Sequence, residues 1–203
     1  MLATDLDDVG LRAVRDIYED AFPLRQLMPF DEIVASACDG ERLVLVALDG
    51  AAPVAFGTVL PLTVERTGYV EYFAVRAGDR DRGLGSALWR ALLDRAARDK
   101  GLDAVVLEVE DPADATDEDD AAERRRRIRF YERLGATTLP VPGFHAVNLD
   151  GSGTEPMHLM WSATRAGVEP PGDLGALVRA LYEEGYEMPP DAPVIAAALA
   201  SIG

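Results

Sequence analysis

The sequence predicts an α/β fold in which a central mixed, mostly antiparallel sheet is flanked by helices. Two apolar runs, Arg42 to Leu48 (RLVLVAL) and Val54 to Leu62 (VAFGTVLPL), enclose Asp49-Gly50, a pattern typical of an antiparallel hairpin. Farther along, the strand Tyr69 to Val75 (YVEYFAV) leads through glycines into a helix and then into the buried strand Ala104 to Val109 (AVVLEV). This strand, helix and strand unit predicts one parallel pair of strands.

Helices are predicted before and after these strands. Apolar residues recur at helical spacing, and Pro23, Gly101 and Gly135 stand where three of the helices should end. The predicted helices are Asp8 to Phe22, Phe30 to Cys38, the segment that follows Gly83-Leu84-Gly85 as far as about Lys100, and Ala121 to Leu134 (AAERRRRIRFYERL).

The last third of the chain predicts a second hairpin and a small appendage. Phe144 to Leu149 and Met157 to Ala163 flank a glycine-rich turn, and an acidic link, Glu110 to Asp120, precedes the fourth helix. After the linker Pro170-Pro171-Gly172, two further helices are expected, over Asp173 to Tyr186 and Ala192 to Ile202. We therefore expect a main domain over 1–165 and an appendage over 166–203 that covers the core, with a lid or a homodimer contact as alternatives.

Composition narrows the class of protein. The chain has 203 residues, and its 36 acidic residues outnumber 20 basic ones. This excess disfavours nucleic acid and anionic membranes as partners and favours cationic small molecules or basic peptides. One cysteine, an acidic start and the lack of a long apolar run predict a soluble cytoplasmic protein, and with only two histidines no metal site is expected.

A phosphate site is predicted where the third strand meets its helix. The loop Arg80-Asp81-Arg82-Gly83-Leu84-Gly85-Ser86 places free backbone N–H groups and the positive end of the helix dipole at one point. A dinucleotide fingerprint would need glycine at Leu88, and the Gly-Lys-Ser or Gly-Lys-Thr of a P-loop is absent. The remaining pattern is R-x-x-G-x-G after a strand, although the glycines could also serve only as a tight turn.

At these residues the sequence resembles the GNAT-type acyl-coenzyme A N-acyltransferases. The second landmark of that family, a helix ending in Tyr-x-x-x-Gly, corresponds to Tyr131 and Gly135, one strand later in the chain. The resemblance spans about residues 8 to 163. It implies that acetyl-CoA binds with its pyrophosphate on the N–H groups of Arg80 to Ser86 and its pantetheine arm along Phe73, Ala74 and Val75. No metal is implied.

The resemblance also implies a leaving thiolate that needs a proton donor, for which Tyr131 matches the family's tyrosine. An alkyl ammonium has a pKa near 10.4, so its deprotonation at pH 7 costs roughly 4 to 5 kcal/mol without a base. We expect Glu71 to be that base, because a period of two places it on one face with Tyr69, Phe73 and Val75. Packing for Tyr131 and a structural role for Glu71 are the alternatives.

Three further residues are candidates for binding the acceptor. Glu108 and Glu110 end the strand that lines the substrate cleft in this family, where they could hold a cationic acceptor or be ordinary exposed strand ends. Arg25 could bind an acceptor carboxylate or simply lie at the surface. The prediction is an N-acetyltransferase acting on a primary amine of a small molecule or peptide. Alternatives are a non-catalytic acyl-CoA binder and a protein N-terminal or lysine acetyltransferase.

Overall fold

In the computed structural model, which describes residues 1–203, helices and strands alternate along the chain. The helices are α1 (Asp8–Ala21), α2 (Phe30–Cys38), α3 (Leu84–Lys100), α4 (Glu118–Glu132), α5 (Leu174–Ala180) and α6 (Pro193–Ala200). The strands are β1 (Leu43–Asp49), β2 (Ala52–Pro61), β3 (Thr67–Val70), β4 (Phe73–Val75), β5 (Ala104–Glu110), β6 (Thr137–Thr138), β7 (His145–Val147) and β8 (Thr154–Ala163). No helix has both the length and the apolar character that crossing a bilayer requires.

The strands form one mixed sheet in the order β1-β2-β3-β5-β8-β6, with β4 also paired to β2 and β7 to β8. Only β3 and β5 are parallel, and α3 connects this part of the sheet from β4 to β5. Both predicted hairpins are present, as β1–β2 and β7–β8. The predicted fold class is therefore confirmed.

The third predicted strand, Tyr69 to Val75, is interrupted. Between the pairs Leu60–Tyr69 and Gly57–Phe73, β2 contributes two residues and its partner contributes three, Val70, Glu71 and Tyr72. This extra residue is a β-bulge, which divides the strand into β3 and β4 and reverses the alternation of side chains beyond it. As a result β3 pairs with β5, whereas β4 pairs with β2 and leaves its other edge open.

The sheet carries a core on each face. On one face, α3 packs on the sheet through Trp89 and Leu92, and α4 through Tyr131. On the other face, α1 and α2 cover the β1–β2–β4 half, with Tyr18 and Phe56 in the centre of that cluster.

The C-terminal helices complete the second face over β3, β5 and β8. Leu177, Leu181, Tyr182 and Ile195 are buried and belong to one cluster with the strand residue Trp161. Between α5 and α6 lies a π-helical turn, Leu181–Gly185, which the sequence patterns did not indicate. Side chains of α5, the π-helical turn and α6 thus share one core with the sheet.

Some boundaries differ from the predictions for local reasons. Helix α4 begins three residues before the predicted Ala121, because the Asp117 carboxylate caps it by accepting from the Asp120 N–H at 2.9 Å. The two-residue strand β6 was not predicted, since so short a run carries no pattern. Helix α3 ends as predicted at Gly101, whose φ is 66°.

We predict that Leu181→Ala lowers the free energy of unfolding by about 3 kcal/mol, because it leaves a cavity in a shared core. Leu24→Ala is the matched control, since Leu24 is 86% exposed, and should change stability by less than about 0.5 kcal/mol. Urea unfolding measures both. Equal stability of Leu181→Ala and the wild type would show that the C-terminal helices are not part of the folding unit.

Candidate active site

A single cavity of about 820 Å³ passes through the sheet where β4 parts from β5. Its lining joins residues from both faces, among them Phe73 and Tyr131 on the α3–α4 side, and Tyr69, Glu108 and Tyr186 on the opposite side. A molecule entering from one face can therefore meet a molecule entering from the other.

The loop before α3 forms one end of the cavity. Gly83 caps the helix with a φ of 77°, a conformation that favours glycine, and no side chain caps the N-terminus. The N–H groups of the first turn consequently have no acceptor in the chain and are available to an anion. At Gly85 a Cβ atom would lie 3.3 Å from Phe130 and 3.4 Å from Val75, so glycine allows α3 to begin close against both.

One acidic residue of this loop, Asp79, is held by two arginines. Asp79 is 6% exposed and accepts from Arg76 at 2.6 Å and from Arg82 at 2.5 Å. These hydrogen bonds, the one from Arg76 above all, lower the pKa of Asp79. Arg82 also donates to Asp49 at 3.2 Å. Arg82 is thus committed to carboxylates. Arg80 forms no ion pair and donates only from Nε to the Val75 carbonyl, at 3.4 Å, so it is the cation of the loop that remains for a phosphate.

Strand β4 presents backbone groups to the cavity. The Tyr72 carbonyl accepts from the Thr58 N–H, and the Arg76 N–H donates to the Val54 carbonyl, so alternate residues of this strand face β2. The intervening Phe73 and Val75 therefore direct their N–H and C=O groups toward the open edge. Ala74, which was also predicted to contact the coenzyme, pairs with β2 and contributes its backbone there.

Tyr131 projects from α4 into the cavity. Its ring packs against Trp89 and Phe130, with centroids 4.9 and 5.0 Å away, while its hydroxyl forms no hydrogen bond within the chain. Burial raises the pKa of Tyr131 above its ordinary value near 10. The hydroxyl therefore stays protonated at neutral pH, as a proton donor must.

Glu71 lies in a different environment from the one that was predicted. Because of the bulge, its side chain shares the α1–α2 face with Thr58, whereas Phe73 and Val75 pack on the α3–α4 face. The prediction that Glu71 shares a face with Phe73 and Val75 is therefore wrong. Both carboxylate oxygens of Glu71 accept from Arg42, at 2.9 and 3.0 Å, and the two side chains are 7% and 11% exposed. Burial raises the pKa of Glu71, and the Arg42 guanidinium opposes that rise.

Glu108 is the carboxylate without a cation. Its Oε2 atom accepts from the Tyr186 hydroxyl at 2.6 Å, and its buried Oε1 atom has no partner. Burial raises the pKa of Glu108 from its ordinary value near 4.5 to about 7, against the opposing effect of the Tyr186 and Tyr69 hydroxyls. A carboxylate of this pKa in a cleft is suited to accept a proton near neutral pH.

The remaining predicted contacts are occupied by partners in the chain. Glu110 forms an ion pair with Arg127, although both line the cavity. Arg25 pairs with Glu155 at the surface and is not part of the cavity wall. Neither Glu110 nor Arg25 is therefore free to bind an acceptor.

Two residues of the site were missed by reasoning from sequence. Arg42 stands before β1 as one more charged residue at a strand edge, and nothing local connects it to Glu71, 29 positions later. Tyr186 lies in the supposed appendage, where its aromatic ring alone would suggest packing. One signal for them was present in the sequence: Glu71, between β3 and β4, and Glu108, on β5, are acidic residues in apolar strand patterns, and each therefore required a partner.

The fold and this site define an acyltransferase architecture in which the sheet opens beside a glycine-rich anion loop. The profile of the acetyltransferase (GNAT) family matches residues 11–136. The chain therefore belongs to the GNAT family of acetyltransferases, and the resemblance noted in the sequence is confirmed. No curated protein matches the chain significantly.

Solved structures share the fold. One, from Bacteroides thetaiotaomicron and assigned to the GNAT family, has 22% identity and a TM-score of 0.68, covering 88% of this chain and 92% of its own. An aminoglycoside 6′-N-acetyltransferase in complex with coenzyme A has 19% identity and a TM-score of 0.60, covering 81% and 94%. The ribosomal-protein-S18-alanine N-acetyltransferase from Escherichia coli has 20% identity and a TM-score of 0.54, covering 83% and 96%.

We predict that the change in the free energy of unfolding caused by Glu108→Gln is more stabilising at pH 8 than at pH 4, by roughly 2 to 3 kcal/mol. The native pKa of about 7 lies above the ordinary 4.5, so the contribution of Glu108 to stability is fully present below about pH 4.5 and is lost as the pH rises through 7. Urea unfolding at several pH values measures the difference. Glu118→Gln, at a side chain 84% exposed, is the control and should stay within about 0.5 kcal/mol throughout.

Proposed function

We propose that this protein transfers an acetyl group from acetyl-CoA to a primary amine by direct attack. The observation that carries the proposal is the single cavity in which the free N–H groups before α3, the open edge of β4, Tyr131 and Glu108 meet. A binding protein would need the first two features, but neither a buried proton donor nor an unpaired carboxylate.

The coenzyme is proposed to enter from the α3–α4 face. Its pyrophosphate binds to the backbone N–H groups of Arg80 to Ser86, with the Arg80 guanidinium beside it, and Asp81, Arg82, Gly83 and Leu84 shape the loop. Its pantetheine arm bonds to the outward backbone groups of Phe73 and to the N–H group of Val75, whose carbonyl accepts from Arg80. The acetyl carbonyl then lies at an N–H of β4, which stabilises the oxyanion of a tetrahedral intermediate.

The acceptor is proposed to enter from the opposite face. Glu108 takes one proton from the ammonium, and the neutral nitrogen attacks the thioester carbon to form the new C–N bond. When the C–S bond breaks, the Tyr131 hydroxyl donates a proton to the departing thiolate, and the second proton that the nitrogen gives up as the amide forms restores the Tyr131 hydroxyl. Glu108 replaces Glu71 in the role of base, because the Glu71 oxygens are already hydrogen-bonded to Arg42.

The walls at the acceptor end favour a cationic amine without a neighbouring carboxylate. Aromatic and apolar side chains line this end together with Glu108, and the arginine there, Arg42, is bound to Glu71 and Ser36. An acceptor carboxylate would meet no free cation. Structures that share the fold include enzymes named for spermidine, an aminoglycoside and a protein alanine, all of them amines. Small amines, lysine side chains and peptide N-termini all satisfy these constraints.

We predict that acetyl-CoA at about 100 times its Kd raises the Tm of the wild type by roughly 5 to 10 °C. Gly83→Glu should abolish this shift, because it places a carboxylate where the phosphates bind. Gly101→Glu is the matched control, since Gly101 ends the same helix with a φ of 66°, similar to the 77° of Gly83. A full shift in Gly83→Glu, or its loss in both variants, would refute the proposed phosphate site.

We predict that Tyr131→Phe lowers kcat at least tenfold while the thermal shift with acetyl-CoA is retained, because the ring packing is unchanged and only the proton donor is lost. Thiol release with a panel of polyamines, amino acids and peptides gives the rate. A kcat within twofold of the wild type would remove Tyr131 from the acid role. A wild type that binds acetyl-CoA but acetylates no amine would instead favour a non-catalytic acyl-CoA binder.

A further inference from the structure

The segment after α5 forms part of the cavity wall. Gly185, Tyr186 and Glu187 line the cavity. Gly185 ends the π-helical turn Leu181–Gly185, and the other two residues follow it. They lie outside residues 11–136, the part of the chain that matches the family profile. Turns of this kind are rare and concentrate at functional sites, because the extra residue redirects the side chains that follow.

Tyr186 forms a short hydrogen bond to Glu108, and its ring lies near that of Tyr69. Its hydroxyl donates to Glu108 Oε2 at 2.6 Å, and its ring lies 6.2 Å from that of Tyr69. A Cβ atom at Gly185 would come within 3.0 Å of the Tyr69 ring, so glycine there lets the segment approach β3. The Glu108 Oε1 atom remains as the oxygen without a hydrogen-bond donor.

The segment is anchored by side chains just before Tyr186. The Tyr182 hydroxyl accepts from the His145 N–H at 3.1 Å and donates to the His145 carbonyl at 2.8 Å. The Glu184 carboxylate accepts from the Thr63 N–H at 2.8 Å and from its hydroxyl at 2.5 Å. These bonds connect the π-helical turn to β7 and to the loop between β2 and β3, so the residues that lead into Tyr186 are held against the sheet.

We propose that Tyr186 is a positioning residue for the acetyl transfer, which holds the Glu108 carboxylate by one oxygen so that the other accepts the proton of the amine, and which sets the pH range in which it can do so. This inference rests on the proposed function. It assigns to the C-terminal segment a part in the chemistry in addition to its part in the core.

The pH dependence follows from the groups around Glu108. The titratable groups that face it are the hydroxyls of Tyr69 on β3 and of Tyr182 and Tyr186 in the C-terminal segment, and Glu108 forms no ion pair. A hydroxyl that donates to a carboxylate stabilises its ionised form and so lowers its pKa. Loss of the Tyr186 hydroxyl should therefore raise the pH at which Glu108 ionises.

The test is Tyr186→Phe, which keeps the ring and removes the donor. The Glu108 carboxyl is followed by carbon-13 NMR in protein labelled at glutamate, with Glu108→Gln to assign the signal. We expect the titration midpoint to rise by about one pH unit. In parallel, kcat/KM of the variant is divided by kcat/KM of the wild type at each pH, so that the titration of the amine cancels. The variant value should be about fivefold lower than the wild-type value at pH 7 and should approach it above pH 9.

Tyr182→Phe is the matched control, because it also removes a hydroxyl from the same segment but one bonded to the backbone of His145. Its Glu108 midpoint should equal that of the wild type. An unchanged midpoint in Tyr186→Phe, equal shifts in both variants, or a loss of kcat/KM that is the same at every pH overturns the assignment. If the wild type releases no thiol with any amine, the proposed function fails, and the NMR midpoint still decides whether Tyr186 holds Glu108.

Discussion

The structure depends on one extra residue opposite Thr58 and Val59. Strand pairing requires β3 and β4 to share β2 as a neighbour, and the bulge at Glu71 and Tyr72 shifts their registers against each other. Because of this shift β5 follows β3 and not β4, so the sheet opens without losing its core on either face. The backbone groups that elsewhere bond to a neighbouring strand are exposed at the opening, where an extended substrate can replace the missing strand.

The loop before α3 is suited to an anion although the chain as a whole is strongly acidic. The chain has a formal net charge of −16, and two aspartates stand within the loop itself. Asp79 lies buried between Arg76 and Arg82, so its charge is neutralised by these two neighbours. Asp81 occupies the left-handed region with a φ of 62°, which a short polar side chain tolerates. The loop thus offers N–H groups and Arg80 to a phosphate despite its composition.

Most of the fold could be predicted from the sequence because its signals are local: Asp49-Gly50 in a hairpin, Gly101 at a helix end, and apolar residues at a period of 2 or 3.6. The loop before α3 and Tyr131 were also predictable, because both belong to contiguous motifs. The bulge was not, since Tyr69 to Val75 alternates as an unbroken strand and only the register against β2 reveals the third residue. Arg42 and Tyr186 were missed because their partners are 29 and 78 positions away.

Comparison of the two carboxylates at the opening explains which of them can act as a base. Glu71 and Glu108 are both removed from water, and burial alone raises the pKa of each. Glu71 faces a guanidinium that donates hydrogen bonds to both of its oxygens, so a fixed positive charge lowers its affinity for a proton. Glu108 faces hydroxyls, which stabilise the anion less than a cation does and leave one oxygen vacant. In the proposed reaction, a cationic amine that reaches Glu108 would supply the missing charge and so favour the ionised form of the carboxylate that removes its proton.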